Sequence, residues 1–334
     1  MLKHSLPWST LAQVRAGSPT YSIMNLGNAS VEAALAPHLP DPGVVVSISP
    51  IATGKFNNSF FVRSADIDWV VRVAPADDSV FLFYERDMML QEPGIHCELL
   101  SSTSVPVPPI VALDTSRTAI DRNFLVMERL PGTPMSEACH GGPGVLRDVG
   151  AALAETHGLT ANAYGYLGEH HPMPQHSTWQ DAFVDMWDRL LLDVEASGHY
   201  NVEEGAAFRR MLERNISLFD RNVPPSLLHM DVWAQNILVS EEGQLSGLLD
   251  WDRAVWGDPE IEFAVLDYCG ISRPEFWDGY GAVRAESPDA NIRRVFYLLY
   301  ELQKYIVIEQ GRRHNAKAAR AYKEQAFQLA AELL

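Results

Sequence analysis

Residues 227–239, Leu227-Leu228-His229-Met230-Asp231-Val232-Trp233-Ala234-Gln235-Asn236-Ile237-Leu238-Val239, set a carboxylate and an amide five positions apart between two apolar runs. The pattern is H-x-D-x-x-x-x-N. A further apolar run, 245–249, delivers Asp250 within Leu248-Leu249-Asp250-Trp251-Asp252, fourteen positions beyond Asn236. Together the two segments supply one candidate base and two oxygen ligands for a divalent cation.

These residue types suit one chemistry. Transfer of a γ-phosphoryl group leaves a protein little covalent work, so it must orient an attacking hydroxyl and hold magnesium against the phosphates. Asp231 is the candidate catalytic base. Asn236 and Asp250 offer Mg²⁺, a hard cation, an amide oxygen and a carboxylate without piling negative charge beside a triphosphate. His229 is read as a brace of the loop.

Residues 231–236, Asp250-Trp251-Asp252 and Gly257-Asp258-Pro259-Glu260-Ile261-Glu262-Phe263-Ala264 together resemble the aminoglycoside phosphotransferase family. Further matches lie in Val105-Pro106-Val107-Pro108, in 124–132 (FLVMERLPG) and in Leu153-Ala154-Glu155-Thr156-His157, so the resemblance runs from about residue 44 to 280. It implies an α+β, two-lobed protein-kinase-like fold, with a small antiparallel-sheet N-lobe and a larger, mainly helical C-lobe. It also implies phosphorylation of a small-molecule hydroxyl with ATP or GTP and Mg²⁺. Met230 stands where the family usually has glycine, and Glu262 where it usually has aspartate. Neither change removes a catalytic group.

Composition agrees with a globular enzyme: 334 residues, 47% hydrophobic and 21% charged. The net charge of −17, from 43 acidic against 26 basic residues, argues against nucleic acid or an anionic membrane surface as partner. Cys97, Cys139 and Cys269 form no C-x-x-C pair and read as reduced thiols of a cytoplasmic protein. The opening residues lack the apolar core of a signal peptide.

The expected organisation is an extension over 1–42, an N-lobe over 43–130 and a helical C-lobe over 131–334. Within the N-lobe, β-rich runs at 44–48, 59–63 and 69–73 are separated by turn formers, and 110–113 and 124–127 complete a five-stranded sheet. A helix is predicted from about 81 to 101. Beyond Gly132 the apolar spacing becomes helical, over 146–157, 179–194, 208–219, 289–309 and 317–334.

The turn containing Gly54, Asn57, Asn58 and Ser59 is expected over the triphosphate, because Gly and Asn tolerate the backbone angles that let N–H groups converge on phosphate. It is not a Walker A loop. Arg72, inside the apolar strand Val70-Val71-Arg72-Val73, occupies the place of the kinase lysine that clamps phosphates, where the family often uses arginine. Its acidic partner is expected to be Glu92, with Glu85 as the alternative. By the same resemblance Glu128 and Leu130 form the hinge facing the adenine. Asp258 ties the catalytic loop to the helical lobe, and Asp252 is either a loop brace or a group beside the metal ligands.

The acceptor pocket is expected between the loop 164–179, the helix carrying Asp181, Asp185 and Asp188, and the segment from Glu262 through Asp267 and Tyr268, with Trp179 among its aromatics. Such a carboxylate cluster would suit an amino-bearing molecule. Arg312, Arg313, His314 and Lys317 read as a solvated helix face. An antibiotic or related secondary metabolite leads as acceptor. A primary metabolite such as choline, a sugar or an amino alcohol is the alternative, and a regulatory pseudokinase is the reading from another class.

Overall fold

The computed structural model describes residues 26–41, 46–51, 56–76, 81–139 and 142–334. A short helix α1 (Asn28–Leu35) precedes the antiparallel strands β1 (Ser47–Ile51), β2 (Asn58–Arg63) and β3 (Asp68–Val73). Helix α2 (Glu92–Ser102) follows, then β4 (Ile110–Asp114) and β5 (Phe124–Glu128). The sheet order is β1-β2-β3-β5-β4, which places β5, apolar and buried from Phe124 to Met127, between its neighbours. Val31 and Leu35 of α1 pack on Phe60, Val62, Val71 and Val126, and Asn28 donates to the Ile48 carbonyl at 3.0 Å. Residues 28–35 of the expected extension thus pack on the N-lobe sheet.

The helix expected from residue 81 begins later. Leu82 to Glu85 form a turn, Asp87 has φ +56°, and a 3₁₀ turn Met88–Gln91 leads into α2. Pro93 is the cause: it has no N–H to donate, so it sits at no cost in the first turn of a helix and would break one running through it.

The larger lobe opens with β6 (Thr133–Pro134), α3 (Pro143–Gly158), α4 (Trp179–Ala196) and α5 (Val202–Asn215). Short strands β7 (Ser226–Leu228), β8 (Ile237–Val239), β9 (Leu245–Leu248) and β10 (Val255–Gly257) carry the quoted motifs. Helices α6 (Pro259–Cys269), α7 (Pro274–Tyr280), α8 (Pro288–Val307) and α9 (Ala316–Ala330) complete it. The core of this lobe is aromatic. Trp179, Phe183 and Trp187, one α4 face at spacings of four, pack with Phe219, Phe296 and Tyr297, all at most 1% exposed. Burying each such side chain contributes roughly 1.5–3 kcal/mol. No helix of the described residues is long and apolar enough to cross a membrane.

α3 and α7 approach backbone to backbone. A Cβ at Gly150 would strike the Phe276 carbonyl and stand 2.7 Å from the Tyr280 nitrogen, whereas a Cβ at Gly144 on the same helix would meet nothing within 4 Å. Gly150→Ala is therefore expected to destabilise the protein by about 1–3 kcal/mol despite the better helix propensity of alanine, while Gly144→Ala is neutral or stabilising. Urea-unfolding midpoints of the two variants check this. A Gly150→Ala midpoint at or above the parent's would show that the helices can separate without loss.

Candidate active site

The catalytic loop is held from below before its functional groups are presented. Buried Leu227 and Leu228 of β7 anchor its start, and buried β8 its end. His229, fully buried, donates from Nε2 to the Leu249 carbonyl at 2.9 Å and accepts the Asp231 N–H at Nδ1, 3.2 Å. The imidazole thereby ties the loop to the strand that delivers Asp250. Met230 takes φ +64°, where glycine sits freely, and its N–H donates to Glu262 Oε1 at 2.6 Å. The second Glu262 oxygen lies 2.7 Å from His157 Nε2, and His157 Nδ1 lies 2.8 Å from the Tyr280 hydroxyl. Burial raises the Glu262 pKa, but the His157 and Met230 hydrogen bonds outweigh it and hold the group below the usual carboxylate range.

Two expectations change here. Glu262, expected at the acceptor, is the residue that ties the catalytic loop to the helical lobe, its one carboxylate accepting from Met230 and meeting His157. Asp258, expected in that tying role, caps α6 by accepting the Glu260 N–H at 3.0 Å and pairs with Arg221 at 2.7 Å. Burial pushes the Asp258 carboxyl up to about 6, against the opposing charge of Arg221.

Asn236 donates to the Asp231 carbonyl at 2.9 Å and to Asp231 Oδ2 at 3.3 Å, which fixes the amide nitrogen toward that carboxylate and turns its oxygen away. Asp231 Oδ1 faces Arg253 Nη1 at 3.7 Å. Asp250 stands at φ +73°, a region that Asp tolerates better than most residues, and is the most exposed carboxylate of the group, at 34%.

Buried Arg72 joins the two lobes. Its Nη1 donates to Glu92 at 2.6 Å and its Nη2 to Asp252 at 2.8 Å and to Asp250 Oδ1. The Asn57 amide reaches the same cluster, its nitrogen 3.5 Å from Asp252 Oδ2. One cation thus faces three carboxylates. Burial, moderated by Arg72, pushes Glu92 up to about 7, and burial together with the Asp250 charge pushes Asp252 well above the carboxylate range. A divalent cation at Asp250 would relieve that excess. An amide oxygen and a carboxylate, completed by water and phosphate oxygens, fit Mg²⁺.

Glu85, the alternative partner of Arg72, has a different place. Fully buried, it accepts from Arg253 at 3.2 Å and from Arg312. A cleft of about 510 Å³ opens between the lobes, and Asp231, Asn236 and Asp250 line it together with Ser59, Arg72, Glu128 and Leu130. Ser59 faces Arg72 across β2 and β3, and Asn58 pairs with Val73. The Glu128 N–H is taken by the Pro109 carbonyl at 2.9 Å, so an adenine edge would meet that residue through its carbonyl. Gly54 lies outside the described residues.

The remaining acceptor candidates lie elsewhere. Trp179 is fully buried and donates to the Tyr297 hydroxyl at 2.8 Å. Asp181 pairs with Thr178 at 2.7 Å in the cap of α4, and Asp185 with His176 and Arg189 at 3.0 and 2.7 Å. Asp267 is held by Arg284 and Arg294 at 2.6 and 2.9 Å. Tyr268 is buried behind the wall, its hydroxyl 2.8 Å from that of Tyr322. The wall itself is formed by Trp233, Arg253, Tyr305, Ile308, Arg312, Arg313 and Tyr322. Arg312 and Arg313 are 6% and 14% exposed, so this pair is not a solvated helix face. The Arg312-Arg313 doublet was its only trace in the sequence.

Residues 47–296 match the phosphotransferase enzyme family. The chain belongs to that family. It is a small-molecule kinase that phosphorylates a hydroxyl group. Among curated relatives, a "Probable ketoamine kinase" of Enterococcus faecium is 25% identical over 78% of this chain and 88% of its own. The chloroplastic protein-ribulosamine 3-kinase of Oryza sativa subsp. indica is 28% identical over 50% of this chain and 51% of its own. In fold the phosphotransferase resembles the aminoglycoside phosphotransferase APH(4)-Ia solved with AMP-PNP and hygromycin B. The TM-score is 0.65 at 18% identity, covering 90% of this chain and 99% of that one.

His96, on α2 one turn beyond Glu92, donates from Nδ1 to the carbonyl of Pro108, a residue of the cleft, at 2.7 Å. Burial lowers its pKa from 6.5 to about 4, against the opposing pull of that carbonyl. The folded imidazole is neutral where the unfolded one takes a proton, so stability is lost as pH falls from 6.5 toward 4, by about 3 kcal/mol at most. Chemical unfolding of the phosphotransferase and of His96→Gln at pH 7.5 and pH 5 tests this. The stability gap between them should narrow at the lower pH, and an unchanged gap would show that His96 titrates normally.

Proposed function

We propose that this phosphotransferase uses ATP and Mg²⁺ to phosphorylate a hydroxyl of a sugar-derived metabolite of the ketoamine type, and not a polycationic antibiotic. The observation that carries this reading is the lining of the cleft. Five arginines, Arg72, Arg129, Arg253, Arg312 and Arg313, face it with four carboxylates, Glu128, Glu137, Asp231 and Asp250. Arg253, Arg312 and Arg313 stand on the side of Asp231 away from Asn236, where cationic groups of an acceptor would meet like charges at close range in a partly desolvated site. The names of the curated relatives support the ketoamine class.

In the mechanism the acceptor hydroxyl lies against Asp231. As the oxygen–phosphorus bond forms and the bond to the leaving diphosphate breaks, the hydroxyl proton passes to the Asp231 carboxylate. Asn236 keeps that carboxylate aimed by its bond to Oδ2, and Arg253 does so at Oδ1. Asn236 and Asp250 would hold the metal, which when bound neutralises phosphate charge. Arg72 fixes Asp250 in place.

Asp231→Asn is expected to lower turnover by about 10²- to 10⁴-fold, the usual contribution of a positioned base, with ATP affinity nearly unchanged. Asp250→Ala is expected to raise the Mg²⁺ requirement steeply. Asp252→Ala should do so less, since its carboxylate is buried against Arg72. ADP release with 1-deoxy-1-morpholinofructose as acceptor, titrated with Mg²⁺, reads all three variants. Turnover of Asp231→Asn equal to the parent's would overturn the assignment of the base. Efficient use of hygromycin B with none of the fructosamine would overturn the acceptor class.

A further inference from the structure

Helix α8 does not end in a cap but widens into a π-helical turn, Ile308–Arg312. Such turns are rare and frequently occur at functional sites. Here the turn brings Arg312 and the following Arg313 into the wall of the cleft that holds Asp231. Arg312 hydrogen-bonds to Glu85, and Arg313 to Glu309 at 2.5 Å; the Nε of each is buried without a hydrogen-bond partner. Arg312 is 94% buried by its 6% exposure, and it stacks over the Phe56 ring at 4.9 Å, which holds the plane of the guanidinium in place. Three guanidiniums, with Arg253, face three carboxylates, Glu85, Glu309 and Asp231. Arg312 is bonded to its carboxylate through Nη2 and Arg313 through Nη1, so the other terminal nitrogen of each can meet an anion held in the cleft that both residues line.

The position of the doublet indicates which ligand. The two oxygens of Asp231 face opposite neighbours: Oδ2 meets Asn236, itself a candidate metal ligand, and Oδ1 meets Arg253, which leads through Glu85 to Arg312. The arginines therefore lie on the acceptor side of the base.

We propose that Arg312 and Arg313 anchor a carboxylate of the acceptor, so that the substrate is a hydroxyl compound bearing an acid group, such as the ketoamine of a free amino acid. This rests on Asp231 being the base of the phosphotransfer reaction. Guanidinium and carboxylate would pair through parallel N–H bonds, fixing both the distance and the orientation of the reacting hydroxyl.

The test uses two acceptors that differ only in charge, N-(1-deoxyfructosyl)glycine and its glycinamide. With the parent enzyme kcat/KM should favour the acid at least tenfold. Arg313→Gln should bring the ratio close to one while the KM for ATP stays within twofold, and Arg312→Lys, which keeps the charge, should preserve most of the preference. Equal use of acid and amide by the parent overturns the proposal, as does a preference that survives Arg313→Gln. A loss confined to the KM for ATP overturns it too, since the anion would then be a nucleotide phosphate. If neither compound is phosphorylated, the ketoamine reading fails by itself. Calorimetric titration of glycolate into the AMP-PNP–Mg²⁺ complex then decides the carboxylate site: binding lost in Arg313→Gln upholds it, and no binding overturns it.

Discussion

The two lobes are joined at a buried guanidinium. Arg72 leaves β3 and meets Glu92 from α2, Asp250 from the end of β9 and Asp252 from the turn after it. Removing one partner of such a set leaves an uncompensated buried charge, at a cost of about 3–5 kcal/mol. The set is nevertheless unbalanced, with one cation among three carboxylates, and the raised pKa values of Glu92 and Asp252 are the response of the protein alone. Binding a divalent cation at Asp250 would change the protonation of its neighbours, so metal affinity and pH are linked in this site by construction.

A second constraint sets the catalytic loop. At φ +64° a methionine costs roughly 1–2 kcal/mol that a glycine would not. Met230 offsets part of this by being 2% exposed in the aromatic core of the helical lobe. The rest of the compensation comes from Glu262, whose carboxylate accepts the Met230 N–H while His157 holds its other oxygen. The two departures from the family pattern meet directly: the strained Met230 donates its N–H to Glu262.

Patterns written in consecutive residues were legible in the sequence. The catalytic loop, the Asp250–Asp252 turn, the five-stranded sheet and most helices follow from spacing and apolar period along the chain, although Glu262 and Arg72, which hold the loop and the turn, lie 32 and 178 positions from Met230 and Asp250. The choice of Glu92 over Glu85 was not, since both lie on one predicted helix that the structure shows to begin only at Glu92. The wall of the cleft beside Asp231 was least legible. It is assembled from Trp233, Arg253, the turn after α8 and Tyr322, segments that only the tertiary fold brings together. A helical period also cannot reveal a π turn, so Arg312 and Arg313 read as one more solvated face. The acids of α4 and α6 failed in the opposite sense. Asp185 and Asp267 are paired with arginines of their own lobe, and no sequence window contains the Asp267 partners Arg284 and Arg294.

The overall charge of −17 and the arginine-rich cleft act on different length scales. At physiological ionic strength charges separated by more than about 8 Å are largely screened, so the acidic surface governs solubility and has little hold on a molecule already inside the cleft. Inside, the nearest charges decide, and Glu85 sets how they are shared. By taking one bond from Arg253 and one from Arg312, it holds two cations close together, one toward Asp231 and one toward the wall of the cleft. The turn that carries Glu85 is packed into the helical lobe, with Leu82 and Tyr84 in its aromatic core and the Phe83 N–H on Asp193, so the carboxylate and both arginines are held in the lobe that carries Asp231. One buried carboxylate thereby sets the positions of two cations that face the cleft.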